Sequence, residues 1–133
     1  MDKKRKLLLI DDDEIQLSVT EYMLMSDYEI TTAKSGEEAI ELLRDGFSPC
    51  LILLDILMPN MDGWETYTKI RSISVLQDVP ILFLTVVDGT IEKKIAQKIG
   101  AADYITKPFT RKDILTRVDS VIKSKYDKIC QSQ

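Results

Sequence analysis

Apolar residues follow two rhythms along this chain. Leu7 to Ile10, Leu51 to Leu54 and Ile81 to Leu84 are short unbroken apolar runs. They lack the alternation of a strand with one wet face, so they predict strands buried on both sides, as in a parallel sheet covered by helices. Glu29 to Thr32 and Asp103 to Ile105 are read as two further strands. Between the runs the spacing changes to three and four residues: Ile15, Val19, Tyr22 and Met23, then Ala39, Ile40 and Leu43, then Tyr67, Ile70 and Ile73, then Ile91, Ile95 and Ile99, and last Ile114, Val118, Val121 and Ile122. Each set predicts the apolar face of a helix. Asp13 with Gln16, Ser35 with Glu38, Asp62 with Glu65 and Thr110 with Asp113 are spaced as capping boxes that would start these helices. Gly46 and Gly100 stand where helices should stop. Five strands alternating with five helices, joined by right-handed crossovers, predict one α/β domain, a doubly wound five-stranded parallel sheet. Ligands of such a fold bind beyond the carboxyl ends of the strands.

A chain of 133 residues with 44% hydrophobic content can build a core without disulfides or a structural metal. Eighteen Lys and Arg against 22 Asp and Glu give a net charge of −4, which argues against nucleic-acid binding through bulk electrostatics. The basic clusters KKRK and KSKYDK sit near the termini and read as solvated tails. No apolar run reaches membrane-spanning length, and no signal-type apolar core follows the N-terminal charges, so the expected location is cytoplasmic, with no membrane partner. Cys50 and Cys130 have neither CxxC nor zinc spacing and are expected to be reduced thiols. Histidine is absent, which removes Ser-His-Asp and Cys-His catalysis and histidine metal ligands within the chain. The domain is expected to occupy residues 1–125, with residues 126–133 as a C-terminal tail or the start of a linker.

The predicted topology gathers chemistry at one edge. In LLLIDDDE, Asp11, Asp12 and Asp13 follow the first strand directly, Asp55 ends the third strand, Thr85 ends the fourth and Lys107 follows the fifth. Carboxylates this close repel one another, and burial raises the cost of ionising each. A helix N-terminus can absorb some of that charge. A divalent cation can absorb more, and carboxylates without histidine or thiolate make a hard oxygen site suited to Mg²⁺ or Mn²⁺. A lysine ammonium and a threonine hydroxyl opposite would stabilise charge on a phosphoryl group, leaving a carboxylate as nucleophile. Taken singly, each of these residues is an ordinary cap or solvated side chain; the joint placement carries the reading.

LLLIDDDE, LILLDILMPNMDG, ILFLT and DYITKPF, in this order and at these spacings, resemble the receiver domain of response regulators, the CheY-like phosphoacceptor of two-component phosphorelay signalling. The likeness covers about Lys6 to Lys125. It implies a flavodoxin-like (βα)5 sandwich in which a phosphoryl group passes to one aspartate from a histidine kinase or a histidine phosphotransfer protein. Carried over by position, the acceptor is Asp55, the acid pair is Asp11 and Asp12, the switch hydroxyl is Thr85, and the phosphate-pairing lysine is Lys107. Asp12 and Asp55 would ligate Mg²⁺ directly, Asp11 through a water, and Leu57 through its backbone carbonyl, which leaves Asp13 as a helix cap. Tyr104 is placed as a second switch residue, and Lys107-Pro108 resembles the cis peptide of the family. A phosphorylation-dependent homodimer or an output partner would use the face bearing Lys93, Lys94, Asp103, Asp113 and Arg117.

Other features read more plainly. MPNMDG is a turn, with Pro59 restricting the backbone and Gly63 freeing it, and Trp64 is expected to be partly packed core. Val86 and Val87, with Leu57, put aliphatic bulk where the family often has small or polar residues, and slow phosphoryl hydrolysis is expected from them. Two alternatives stand beside the receiver. One is a haloacid-dehalogenase-like phosphatase with Asp11 as nucleophile and Asp13 as acid/base. The other is a pseudo-receiver that docks partners without phosphorylation, which the presence of all five chemical positions disfavours. As a receiver the chain accepts a phosphoryl group and turns over no separate substrate.

Overall fold

A computed structural model describes residues 4–56, 58, 61–85, 94 and 98–127. The strands are β1 (Lys6–Ile10), β2 (Glu29–Ala33), β3 (Leu51–Asp55), β4 (Ile81–Thr85) and β5 (Asp103–Thr106). They form one parallel sheet in the order β2-β1-β3-β4-β5. The described helices are α1 (Glu14–Leu24), α2 (Gly36–Arg44), α3 (Gly63–Arg71) and α4 (Arg111–Ile122), with a 3-10 turn at Ser74–Leu76 and a π turn at Lys123–Asp127. Of the helix expected between β4 and β5 from Ile91, Ile95 and Ile99, Ile91 and Ile95 fall outside the described residues, while Lys94 and Lys98 are helical and Ile99 stands in the turn that follows.

The unbroken apolar runs are buried on both faces because successive side chains point to opposite sides of the sheet. Leu8, Ile10, Ile52, Leu54, Ile81 and Phe83 join α2 and α3 in one core. Leu7, Leu9, Leu51, Leu53, Leu82 and Leu84 join α1 and α4 in the other. All of these strand residues are completely buried, each worth about 1.5–3 kcal/mol relative to exposure.

The helix starts agree with the capping pattern. Asp13, Ser35, Asp62 and Thr110 each accept from a backbone N–H of the following turn. The reciprocal box forms at Thr110 and Asp113, whereas Glu38 reaches back to the Lys34 N–H. Gly46 and Gly100 have φ of 106° and 83°, the left-handed conformation that ends a helix at low steric cost.

The expected face of α1 is corrected. Ile15 and Tyr22 are each 78% exposed and Val19 is 43% exposed, while Leu17, Thr20 and Leu24 face the core and, of the expected set, Met23 alone packs partly buried against it. A threonine on the buried side hid that face from an apolar count. Its hydroxyl is completely buried and accepts from the Gln16 side-chain amide, which satisfies the polar atom inside.

Candidate functional site

The order of the sheet makes the site. The chain runs from β1 out to β2, then returns to place β3 on the other side of β1, so a crevice opens where the connections diverge, above β1 and β3. Ile10 pairs with Leu54 across those strands, which brings the next residues, Asp11 and Asp55, level with each other. Backbone pairing continues past these strand ends on both sides. Asp11 donates its N–H to Ala33 O at 3.1 Å, and Lys107 donates its N–H to Thr85 O at 2.6 Å. Asp55 is in register with Leu84 and Thr85 with Thr106, so Thr85 stands one position beyond Asp55 at the same carboxyl edge.

Asp11, Asp55 and Thr85 are buried, and Asp12 is exposed at the mouth. Oxygens of Asp11, Asp12 and Asp55 lie within 4.8 Å of one another. Lys107 answers part of that charge: its ammonium sits 2.8 Å from Asp11 Oδ2 and 3.7 Å from Asp55 Oδ1. The other Asp11 oxygen accepts from the Asp13 N–H at 3.0 Å. One ammonium against three carboxylates leaves the crevice negative, the condition a divalent cation relieves. Hard oxygens from the ends of two strands, one of them open to solvent, suit Mg²⁺ or Mn²⁺, which bind through few carboxylates and keep several waters. The residues present fit such an ion.

The loop after Asp55 is packed closely, and here Gly63 has a role its sequence position did not disclose. A Cβ at Gly63 would meet Asp55 O at 2.5 Å and Ile56 Cα at 2.6 Å, and its N–H donates to Ile56 O at 2.8 Å. Gly63 is not among the described glycines of positive φ, so what it supplies is room rather than conformational freedom. The start of α3 can thereby close against the strand end that presents Asp55. The five-residue spacing from Met58 to Gly63 was the available signal.

Asp11, Asp12, Asp55, Thr85 and Lys107 are thus brought to one edge. Lys107-Pro108 is cis. Tyr104 is half-buried against the α2/α3 core, and Trp64 packs on Phe83 with ring centroids 4.8 Å apart. Leu57, Pro59, Val86, Val87 and Lys93 lie outside the described residues, as does Cys130. On the face expected to meet an output partner, Arg117 pairs with Asp103 at 3.0 Å, and the Thr110 backbone N–H beside Asp113 lowers that exposed carboxyl's pKa. Around the mouth, Lys34 pairs with Glu14 at 2.8 Å and holds its carboxyl below the usual range. Asp13 accepts from the N–H groups of Ile15 and Gln16. That capping use leaves it poorly placed as the acid/base of the phosphatase alternative. No helix among the described residues is long and apolar enough to cross a membrane.

Residues 7–119 match the response regulator receiver domain. A probable transcriptional regulator, ycf27, of Pyropia yezoensis is 37% identical over 131 residues, covering 98% of this chain and 52% of the relative. Its counterpart in Porphyra purpurea is also 37% identical, over 96% of this chain and 51% of that one, so the chain spans about half the length of these curated relatives. Among solved structures, the Vibrio cholerae chemotaxis protein CheY4 superposes with a TM-score of 0.84 at 28% identity, covering 90% of this chain and 99% of that one. The non-phosphorylated HemR receiver domain from Leptospira biflexa gives 0.80 at 34% identity, covering 90% and 94%. The sheet order, the gathering of strand-end residues at one edge and the sequence match agree, and this chain belongs to the response regulator receiver domain family of two-component signalling.

Proposed function

We propose that Asp55 is the phosphoacceptor and that the donor is the phosphohistidine of a histidine kinase or a histidine phosphotransfer protein. The observation that carries this reading is the Lys107 ammonium lying between Asp11 and Asp55, at 2.8 and 3.7 Å, in a crevice whose three carboxylates converge within 4.8 Å. An Asp55 oxygen attacks phosphorus, the P–N bond to the donor imidazole breaks, and its electron pair returns to the ring nitrogen. Asp11, Asp12, Asp55 and the Leu57 backbone carbonyl would hold Mg²⁺, or Mn²⁺ in its place. The ion supplies charge neutralisation for phosphoryl oxygens approaching the carboxylates. Lys107 turns part of its charge from Asp11 to the phosphoryl group, and Thr85 adds a hydroxyl hydrogen bond.

Those two contacts exist only with the phosphoryl group present, so they bias a two-state equilibrium, with Tyr104 following Thr85. The domain turns over no separate substrate in this reading, and the reaction is placed in the cytoplasm. A donor protein would meet the exposed stripe of Ile15, Val19 and Tyr22 on α1, which begins next to the crevice mouth at Asp12. Of the proposed output face, Asp103, Asp113 and Arg117 border a groove of about 510 Å³ between β5 and α4 lined by Tyr104, Phe109 and Lys112; Lys93 is proposed to belong to the same face. A homodimer or an output partner formed there would exchange the Arg117–Asp103 pair for contacts across the interface.

The test is intact mass after incubation with acetyl phosphate. The parent in Mg²⁺ gains one phosphoryl group, and Asp55→Asn gains none. An equal gain in Asp55→Asn, or in EDTA, refutes the assignment. No gain from acetyl phosphate or from any donor protein supports the pseudo-receiver instead.

A further inference from the structure

Tyr67 of α3 is buried, and its hydroxyl donates to the carbonyl of Ile99 at 2.6 Å. That carbonyl directly precedes Gly100, whose φ of 83° turns the chain toward β5. Two residues later Ala102 donates to Ile81 O at 2.9 Å, at the entry to the β4–β5 ladder. Tyr67 therefore ties α3 to the turn from which β5 departs. Arg71, one helical turn along, braces the tie: its Nε donates to the Tyr67 hydroxyl oxygen at 3.3 Å, its Nη1 donates to Leu76 O at 2.8 Å, and its guanidinium lies 5.1 Å from the centre of the Tyr67 ring. A leucine would fill this position as well if packing were the whole requirement. The hydroxyl and its bracing arginine add a directional link.

The other side of the Tyr67 ring leads to the switch residues. Its centre is 5.5 Å from that of Phe83, which in turn packs on Trp64 at 4.8 Å. Phe83 is completely buried, shares a face of β4 with Thr85 because the two are separated by two positions, and stands in register with Tyr104 on β5. Any turn of Tyr104 toward Thr85 must be accommodated by Phe83, with Tyr67 and Trp64 behind it and the start of β5 beside it. A link of fixed length from α3 to Ile99 holds these parts at their present separation.

The geometry points to Tyr67 as a latch for the unphosphorylated conformation, a positioning residue that opposes the Thr85 and Tyr104 rearrangement by fixing the start of β5 to α3. This inference rests on the phosphoacceptor reading of Asp55. A bond made in one state and lost in the other shifts the equilibrium between them by its own worth. Deleting it should favour the activated state by roughly three- to tenfold, the range spanned by one net hydrogen bond.

The experiment is a titration of the full chain with beryllofluoride, a phosphoryl mimic, at saturating Mg²⁺, read by calorimetry so that any change in Trp64 emission does not enter. Tyr67→Phe is expected to half-saturate at roughly three- to tenfold lower beryllofluoride than the parent. The same substitution should speed phosphorylation by acetyl phosphate, which a merely structural loss would not do. Arg71→Lys, which keeps the charge but loses the brace, should shift half-saturation in the same direction by a smaller factor and decides the matter if Tyr67→Phe fails to fold. Half-saturation unchanged or raised in the folded variants overturns the latch and leaves the acceptor site intact. A parent that does not bind beryllofluoride overturns the acceptor reading, and the latch with it.

Discussion

At the scale of single residues, the pairing of Lys107 is the most informative feature. Its ammonium is nearer to Asp11 than to Asp55, so in the absence of a cation it serves as the internal counter-charge for a completely buried carboxylate. Breaking a buried pair strands the remaining charge, at a cost of several kcal/mol when solvent is fully excluded. Here Asp12 opens the site to water, and Lys107→Met should lose about 1–3 kcal/mol of stability in EDTA. Part of that loss should return in Mg²⁺, because a ligand that binds only the folded form stabilises it. Urea unfolding of parent and variant, with EDTA and with Mg²⁺, checks this. Equal losses in both conditions would mean that Lys107 acts only through packing of its stem. These residues were legible in the sequence because each stands directly after a strand, where a parallel fold must put it at the carboxyl edge. Gly63 was legible only as a turn residue. What it supplies is room for an approach so close that a Cβ there would lie 2.5 Å from the Asp55 carbonyl oxygen, a proximity between segments that no local pattern records.

At the scale of elements, the strands and the helix starts follow from the sequence, but the orientation of α1 does not. Leu17, Thr20 and Leu24 and the competing set Ile15, Val19 and Tyr22 both fit a helical period. Apolar character favoured the set that is in fact exposed, since the hydroxyl of Thr20 finds its partner within the helix. The consequence is testable. Leu17→Ala should cost about 2–4 kcal/mol of stability by opening a cavity. Ile15→Ala with Tyr22→Ala should change stability by less than about 0.5 kcal/mol as surface substitutions, yet slow phosphotransfer from a donor protein without slowing the reaction with acetyl phosphate. Equal rates from the protein donor would remove α1 as its contact.

The attachment of α4 to the remainder carries a pH signature. Tyr28, buried beside the α1/α4 core, donates to Asp119 of α4. Burial first, and then the Asp119 hydrogen bond, push its phenol well above the ordinary tyrosine value. A folded pKa above the unfolded one contributes stability that is complete below the unfolded value, about 10, and is lost as pH rises above it toward the folded value. Tyr28→Phe should therefore be less stable than the parent at pH 7 by about 0.5–1.5 kcal/mol, with the deficit shrinking above pH about 10. Denaturant midpoints across pH 7 to about 11 read the effect, and a deficit independent of pH would assign the contact to packing alone.

At the scale of the whole molecule, a parallel sheet points the carboxyl ends of all its strands to one edge, so residues that follow different strands meet there. Five strands in the order β2-β1-β3-β4-β5 put the divergence of connections above β1 and β3, and Asp55 stands there with Asp11 and Asp12. The opposite edge is closed by the C-terminal turn, where Tyr126 donates to Cys50 O at 2.8 Å beneath the Arg5 guanidinium and Lys125 reaches Asp78 O. The helical period alone predicted which segments cross the sheet. It could not show that Tyr67 would reach across to Ile99, because that contact joins residues 32 positions apart. The central claim, that this edge delivers a phosphoryl group to Asp55, is tested most directly by trapping the acyl phosphate. Borohydride reduction of the phosphorylated protein converts the modified aspartate to homoserine, which peptide mass spectrometry then places in the sequence. Homoserine at position 55 alone, present after reaction in Mg²⁺ and absent after reaction in EDTA, is the predicted result, and homoserine at position 11, 12 or 13 in its stead would contradict it.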